Sequence, residues 1–302
     1  MKSMSERVYR LLKIAAVGLG GLTVALGLTY AGFCLKRPAR TPAQRSLFQG
    51  IEYERIVHNS PRPLMLHIVT VDLAAPGIGF LVTPQQKDPD GKETLADTVP
   101  GFLEKYGLKV AINGSFFYPM YVHHPFDYAP RVGEGVNAVG IVISEGDRYS
   151  AVEAGWAALC IVSPHQITIE ESGDCPANTV QGLAGDRQFV KDGQFVARTN
   201  RQELFPRTVV ALDRAGETLW MVAVDGRQFG YSEGIMLAEL AAELIARGAY
   251  QALNLDGGGS TTLAVEERGQ PKVLNSPIQA RVPTNLRPVV NHLGIYADDV
   301  SE

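Results

Sequence analysis

The sequence predicts a mixed α+β fold with a largely antiparallel sheet and a few helices, preceded by one N-terminal transmembrane helix. Three observations support this prediction. An uncharged apolar run occupies residues 14–35. After it, short apolar runs alternate with turns rich in Gly, Pro and Asp, which is the pattern of β-strands. One long amphipathic stretch, at 235–247, has the 3.6-residue period of a helix.

The apolar run at 14–35 is 22 residues long, which is enough to cross the hydrocarbon core of a membrane as a helix. A cleaved signal peptide is the alternative, but the run is too long for a usual hydrophobic region and no clean Ala-x-Ala site follows it. Cys34 could indicate a lipoprotein, yet Phe33 stands where a small residue is expected. An uncleaved signal anchor is the preferred interpretation.

The orientation of this anchor depends on its flanks. Four basic residues precede the run and four follow it, so the positive-inside rule does not decide. We place the short tail, 1–13, in the cytoplasm, because a short tail before a first helix commonly stays inside. Residues 36–50 are basic and contain two prolines, which predicts a linker beside the membrane. The domain at 51–302 is then expected on the extracytoplasmic side.

The charge of this domain limits its partners. Eight of the 28 Lys and Arg residues but only one of the 32 Asp and Glu residues precede position 51. The remaining domain therefore carries a net charge of about −11 by this count, which argues against general binding of nucleic acid. An anionic substrate would have to be recognised by a few placed arginines.

The three cysteines leave one question open. Cys34 lies at the end of the apolar run, whereas Cys160 and Cys175 are 15 residues apart in the domain. The latter two could form a loop disulfide in an oxidising compartment, or remain two free thiols. No C-x-x-C or H-x-x-x-H pattern indicates a zinc site.

The order of the elements follows from the apolar runs and the turn residues. A polar stretch at 177–185 is expected to be a loop. Strands are predicted at 64–72, 78–83, 108–112, 139–144, 156–162, 166–169, 188–190, 195–196, 209–212, 219–224, 251–255 and 261–265.

Two helices are predicted among these strands. One spans 95–106, is capped by Thr94, ends at Gly107 and is interrupted by Pro100. The other, at 235–247, has an apolar face and stops at Gly248. It connects the strands 219–224 and 251–255 in a β-α-β unit, while most other strands are expected to be antiparallel.

The most informative stretch follows the strand at 251–255. Asp256 stands at the strand end, followed by Gly257, Gly258 and Gly259 and then Ser260. Consecutive glycines with free N–H groups can form an anion-binding nest beside a carboxylate. The alternative is a plain turn whose backbone is bonded by the aspartate. The spacing fits neither a Walker loop, nor a dinucleotide fingerprint, nor a G-x-S-x-G nucleophile elbow.

A series of motifs follows in a fixed order along the domain. They are AINGSFF at 111–117, FPRT at 205–208, VDGRQ at 224–228, SEGIMLAELAAELIARG at 232–248, ALNLDGGGSTTL at 252–263, and the NSP and NLRPVVNHLGIY segments near the C-terminus. This ordered set resembles the phosphodiester glycosidase family over most of residues 60–297. Ser115 replaces the second glycine that is common in this family's N-G-G-F-F, which could narrow the pocket.

This resemblance implies hydrolysis of the bond between a sugar anomeric carbon and a phosphate. A carboxylate must stabilise an oxocarbenium-like transition state or activate water. Asp256 is the first candidate and Asp225 the second. Glu239 belongs to a matching motif, although helical spacing turns it away from the core face. It either faces the site or is a solvated glutamate.

The remaining candidates would bind substrate. Arg207 and Arg227 suit the oxygens of a phosphate, because the arginine fork makes bidentate contacts. Phe116 or Phe117 could stack on a sugar ring or pack in the core, and His292 is a weaker acid/base candidate. The full substrate-binding set is Asn113, Gly114, Arg207, Arg227, Asn254, Gly257, Gly258, Gly259, Ser260 and Arg287.

The expected substrate is a glycan or glycosyl phosphodiester. No cofactor is predicted, and a divalent metal stays open. Two other functions stay open at this stage. The first is a non-catalytic protein that binds or assembles envelope glycans. The second is a metal-dependent phosphodiesterase that uses Asp225 and Asp256 as ligands of a divalent metal.

Overall fold

The computed structural model describes residues 27–196 and 203–300, together with residues 9, 12, 13, 21, 24 and 25. Residues 27–35 are helical (α1). Within the described residues, no helix is long and apolar enough to cross a membrane. Much of the predicted span at 14–35 and most of the tail at 1–13 lie outside the described residues, and both stay predictions.

From residue 43 onward the described chain consists of short strands and two α-helices. The helices are α2 (Val99–Tyr106) and α3 (Leu237–Ala246). The strands are β1 (Ala43–Phe48), β2 (Ile51–His58), β3 (Leu64–Asp72), β4 (Gly79–Val82), β5 (Thr94–Leu95), β6 (Val110–Asn113), β7 (Phe117–Tyr118), β8 (Tyr121–His124), β9 (Asp127–Ala129), β10 (Gly135–Ala138), β11 (Val142–Ser144), β12 (Asp147–Ser150), β13 (Ala157–Ser163), β14 (Gln166–Glu170), β15 (Gln181–Gly185), β16 (Arg187–Lys191), β17 (Gln194–Phe195), β18 (Arg207–Asp213), β19 (Thr218–Val224), β20 (Ala249–Asn254), β21 (Leu263–Glu267), β22 (Gln270–Val273) and β23 (His292–Tyr296).

These strands form one large sheet and several smaller ones. The large sheet has the order β1-β2-β3-β19-β18-β20-β16-β17. Two five-stranded sheets have the orders β22-β21-β6-β23-β4 and β12-β11-β15-β13-β14. A three-stranded sheet, β5-β10-β7, and the hairpin β8-β9 complete the set. The strand pairs are antiparallel, for example β18 with β19 and β18 with β20, which confirms the largely antiparallel α+β fold.

The predicted β-α-β unit is present with one strand inserted. Strands β19 and β20 are connected through α3, and β18 lies between them, antiparallel to both. The two connected strands are therefore parallel to each other without being neighbours. Sequence patterns indicate the direction of such a crossover but not which earlier strand fills the gap.

The central strands of the large sheet are buried on both faces. In β3, Val69 and Val71 belong to the central core shared with the smaller sheets, while Leu66 and Ile68 face the other side. Helix α3 covers that other side with its apolar face, including the fully buried Leu240. The alternation of side chains along a strand thus supplies two separate cores.

The start of helix α2 differs from the prediction. The helix begins at Val99, and the side chain of Thr98, not Thr94, accepts a hydrogen bond from the Gly101 N–H at 3.2 Å. Pro100 lies in the first turn, where a missing N–H costs no helical hydrogen bond. Gly107 closes the helix in the left-handed conformation, as predicted.

Two segments expected to lack regular structure contain strands. The predicted loop at 177–185 contains β15, which is buried at all five positions between β11 and β13. Its small residues give no alternation, because both faces are covered. The predicted linker at 36–50 contains β1, the edge strand that pairs with β2.

Cys160 and Cys175 form a disulfide with a Cα–Cα distance of 5.6 Å. Of the two alternatives that the sequence left open, a loop disulfide and two free thiols, the structure has the disulfide. The bridge closes a loop with a sequence separation of 15. Replacing both cysteines by alanine is expected to lower the free energy of unfolding by about 3 kcal/mol, mainly because the unfolded chain gains freedom. Urea unfolding measures this difference. Cys34→Ala, which alters a free cysteine, is the control; an equal loss in both variants would contradict the prediction.

Candidate active site

The candidate site lies where the large sheet meets the five-stranded sheet that contains β6. Strand β20 ends at Asn254, and β6 ends at Asn113 beside it. The Asn113 side-chain amide donates to the Asp256 carbonyl at 2.6 Å, and the Asp256 N–H donates to the Gly114 carbonyl at 3.0 Å. Thr208 in turn donates to the Asn113 Oδ1 at 2.8 Å. Asn113 and Gly114 therefore hold the backbone of Asp256 in place.

A cavity of about 420 Å³ opens beside Asp256. It brings together residues that are far apart in the sequence, including seven of the predicted substrate-binding residues. Its lining consists of Phe116, Met120, Asp186, Arg187, Glu203, Phe205, Pro206, Arg207, Arg227, Leu237, Asn254, Asp256, Gly257, Gly258, Gly259 and Arg287.

Asp256 is half-buried in the wall of this cavity. Burial raises the pKa of its carboxyl group to about 6, although the hydrogen bond from Ser260 and the charge of Arg287 oppose this shift. The Ser260 hydroxyl donates to the Asp256 Oδ2 at 2.6 Å. A carboxyl group with this pKa changes its protonation state near neutral pH, as acid/base groups of enzymes do.

The raised pKa of Asp256 has a consequence for stability. Its ordinary value is 3.8, so the folded state binds the proton more tightly than the unfolded state between about pH 4 and pH 6. The free energy of unfolding therefore falls as the pH rises through this interval. The Asp256→Asn variant has no charge to desolvate at this position. Its free energy of unfolding is therefore expected to exceed that of the wild type by about 1–3 kcal/mol above pH 6.

Urea unfolding at pH 4 and at pH 7.5 measures this difference. The stabilisation should be small at the lower pH and fully present at the higher one. Asp90→Asn, at an exposed carboxylate, is the control and should change stability little at either pH. A stabilisation by Asp256→Asn that is equal at both pH values would show that the charge of Asp256 is not its source.

Four arginines line the cavity. Arg187 pairs with Asp186, and the other three are Arg207, Arg227 and Arg287. The guanidinium groups of Arg207 and Arg227 lie 5.3 and 5.0 Å from the centre of the Phe205 ring. Within the described residues, no carboxylate lies within salt-bridge distance of Arg207, Arg227 or Arg287. Burial lowers the pKa of each of the three side chains, and arginine still keeps its proton. Arg287 is buried, Arg207 is half-buried and Arg227 is exposed. Desolvated cations without a carboxylate partner favour an anionic ligand.

The glycines allow two of these arginines to approach the backbone. A Cβ atom at Gly258 would lie 3.1 Å from the Arg227 Nη1, and one at Gly259 would lie 2.5 Å from the Arg287 Nη2. Gly258 also has a φ of +62°. The Gly258 N–H donates to the Pro206 carbonyl and the Ser260 N–H to the Gly257 carbonyl. Two N–H groups of the predicted anion-binding nest are thus occupied by backbone carbonyls. The positive charge that faces the cavity comes from the arginine side chains.

Two polar atoms near the cavity lack a partner in the described part of the chain. The Asn254 side chain donates to Asp186 at 2.7 Å, but its Oδ1 accepts no hydrogen bond. Gln279 accepts a hydrogen bond from Arg287 at 2.6 Å, whereas its Nε2 is unpaired. A buried polar atom without a partner is costly. Asn254 lines the cavity, so its Oδ1 is available to a bound ligand, whereas Gln279 is fully buried outside the lining.

Two of the predicted catalytic residues lie outside the cavity lining. The Asp225 carboxylate is fully buried and accepts hydrogen bonds from the Ser276 N–H at 2.8 Å and the Asn275 amide at 3.1 Å, with His67 at 3.2 Å. Glu239 pairs with Arg62 and accepts from the Met236 N–H at 3.0 Å at the start of α3. The contacts of both carboxylates are those of structural groups.

The other aromatic candidates divide between cavity and core. Phe116 lines the cavity, while Phe117 packs in the central core. His292 is fully buried against Phe102, and burial lowers its pKa to about 3. A neutral histidine in this position is not part of the cavity.

Sequence reasoning missed several residues of the lining. Asp186 and Arg187 follow β15 and lie between the predicted loop at 177–185 and the predicted strand at 188–190, and Phe205 was noted only as part of a motif. Glu203 and Met120 also line the cavity. The one available signal was the Gly-Asp-Arg sequence at 185–187, which resembles the Asp-Gly-Arg found at another strand end.

The geometry does not favour a metal site. In the part of the chain that the structure describes, no group of three or more His, Cys, Asp or Glu side chains could hold a metal ion. The hypothesis that Asp225 and Asp256 bind one metal together also fails to fit, because Asp225 is bonded to Asn275 and Ser276 outside the cavity.

Comparison with known proteins identifies a family. The family model described as phosphodiester glycosidase (NAGPA) matches residues 106–296, a range that includes Asp256 and the three arginines. None of the curated proteins matches the chain.

Several solved structures share the fold. A hypothetical protein from Synechocystis superposes with a TM-score of 0.64 at 18% identity, covering 86% of this chain and 64% of that one. This chain thus spans slightly less than two thirds of that protein. The catalytic domain of zebrafish N-acetylglucosamine-1-phosphodiester alpha-N-acetylglucosaminidase, auto-inhibited by its pro-peptide, superposes with a TM-score of 0.55 at 20% identity, covering 86% of this chain and 85% of that one. At such identities the superpositions establish the fold.

Proposed function

The chain belongs to the phosphodiester glycosidase family, and we propose that it is a hydrolase of glycosyl phosphodiesters. It cleaves the bond between a sugar anomeric carbon and the phosphate, with water, and releases the free sugar and a phosphomonoester. The observation that carries this proposal is one cavity that holds a carboxyl group with a pKa of about 6 and three arginines without a carboxylate partner among the described residues.

The arginines serve the phosphate in this reaction. Arg207 and Arg227 bind its oxygens, and the guanidinium fork suits bidentate contacts with such a group. As the glycosidic bond breaks, negative charge develops on the phosphate, and fixed cations stabilise it. A phosphate stabilised in this way leaves readily, so the leaving oxygen depends little on a general acid.

Asp256 serves the sugar. In its ionised form the carboxylate stabilises positive charge at the anomeric carbon or activates the attacking water. Ser260 and Asn113 fix its side chain and backbone, so the carboxylate is held for the transition state. The unpaired Oδ1 of Asn254 accepts a hydrogen bond from a sugar hydroxyl.

Turnover on a panel of sugar-1-phosphodiesters tests the proposal. The purified full chain, in nonionic detergent, should release free sugar and leave the phosphate on the other product, as separated by chromatography. Phosphate left on the sugar would indicate cleavage of the P–O bond and would overturn the proposal. Binding of these compounds without any turnover would favour the non-catalytic glycan-binding function.

For the location of the domain, we propose the extracytoplasmic side of a membrane, anchored by the helix predicted at 14–35. The disulfide between Cys160 and Cys175 supports an oxidising compartment. Alkaline phosphatase fused after residue 302 and expressed in a bacterium should be active, because this reporter folds only outside the cytoplasm. An inactive, stable fusion would contradict the orientation.

A further inference from the structure

A second cavity, of about 400 Å³, lies between the edge of the large sheet and the edge of a five-stranded sheet. Strands β1 and β2 of the large sheet form one wall, and β22 of a five-stranded sheet contributes another. Four cationic side chains line it, namely Lys36, Arg45, Arg55 and Lys272. In a chain with a formal net charge of −4, this concentration of cations is a local exception, and it is independent of the cavity at Asp256.

The opposing negative charge at this cavity is small. Glu267 pairs with Arg45 at 2.7 Å and also with Lys272. Within the described residues, Lys36 and Arg55 have no carboxylate within salt-bridge distance. One carboxylate therefore faces four cations.

Arg55 is positioned as an anion-binding group. It is half-buried, and its Nε and Nη2 atoms donate to the Thr41 carbonyl at 2.7 Å and to the Thr41 hydroxyl at 3.0 Å. These bonds fix the guanidinium, and among the described residues its Nη1 has no hydrogen-bond partner and can bind a ligand. Tyr53 lies in the same wall, and burial raises its pKa to about 12. The wall is therefore uncharged at Tyr53 at neutral pH.

We infer that this cavity binds the phosphate group of an anionic ligand through Arg55 and Lys272. Two sources share this chemistry: the headgroup of an anionic phospholipid and a free phosphate. Lys36 follows directly after the predicted membrane span at 14–35, so a lipid headgroup would be within reach of the cavity. The inference does not depend on the proposed hydrolysis, because none of these side chains lines the cavity at Asp256.

Calorimetric titration of the full chain in nonionic detergent with inorganic phosphate tests the site. The background variant is Arg227→Gln, which removes a cation from the candidate active site. In this background phosphate should still bind, and adding Arg55→Gln and Lys272→Gln should weaken binding at least tenfold. The matched control adds Arg148→Gln and Lys191→Gln, which remove one Arg and one Lys from other salt bridges.

The outcomes separate the alternatives. Absence of phosphate binding in the Arg227→Gln background, or an equal loss in the matched control, would overturn the inference. A second titration with dihexanoyl phosphatidylglycerol and dihexanoyl phosphatidylcholine identifies the source. Tighter binding of the phosphatidylglycerol than of inorganic phosphate supports a lipid headgroup as the ligand, and equal binding of the two supports free phosphate. Sugar release by Arg55→Gln/Lys272→Gln should equal that of the wild type, which keeps this site distinct from the hydrolytic one.

Discussion

Replacing Asp256 by asparagine is expected to lower kcat for sugar release by about 10²–10⁴-fold, the usual contribution of a positioned acid/base carboxylate. Asparagine keeps the shape and can still accept the hydrogen bond from Ser260. It cannot stabilise the developing positive charge or take a proton from water. The measurement is single-turnover and steady-state release of sugar from the best phosphodiester of the panel.

The pH dependence of the wild type follows from the same group. Because the ionised form of Asp256 is the active one and its pKa is about 6, kcat/KM should rise with pH up to about pH 6 and then level off. The hydrogen bond from Ser260 lowers this pKa, so Ser260→Ala should move the rise to higher pH. This shift would assign the titration to Asp256.

The control for Asp256 is Glu203→Gln, which removes another carboxylate from the same cavity. It should retain most of the activity, because among the described residues no hydrogen bond joins Glu203 to Asp256 or to the glycine turn. Loss of activity in both variants to the same degree would indicate that the net charge of the cavity matters, and the assignment of Asp256 would be wrong. An active, folded Asp256→Asn protein would have the same consequence.

Replacing Arg227 by glutamine is expected to lower kcat/KM for a sugar-1-phosphodiester by about 10- to 100-fold, since a charge-assisted hydrogen bond contributes about 1.5–3 kcal/mol. The reason is the loss of a cation that faces the phosphate over Gly258. A neutral aryl glycoside of the same sugar should show a much smaller loss, because it carries no phosphate. The ratio of the two substrates is the measurement.

Two further variants sharpen this test. Arg227→Lys should restore only part of the activity, because an ammonium group cannot make a bidentate contact. Arg214→Gln is the control: this arginine stacks over Tyr250 at 4.8 Å and follows the end of β18 opposite to Arg207. If Arg227→Gln reduced turnover of both substrates equally, Arg227 would support the cavity without recognising the phosphate.

Much of the fold could be predicted from local patterns. Helix α3 and strands such as β3 and β19 follow from apolar periodicity, and the family resemblance is confirmed by the match over 106–296. The predicted start of α2 was wrong, because Thr94 and Thr98 are equally good N-cap residues by sequence and the structure uses Thr98. Strand β15 was missed because a strand covered on both faces has no alternation of polar and apolar residues.

The sequence by itself determined the inventory of the site: a carboxylate at a strand end, a glycine turn, and the arginines in the FPRT and VDGRQ motifs. Only the tertiary structure decided which of them meet. It gathers Asp256, Arg207, Arg227 and Arg287 around one cavity and leaves Glu239 at a helix start. The physical reason is that pairing of distant strands sets which strand ends converge. Burial then sets the pKa of Asp256, and neither quantity is encoded in a local pattern.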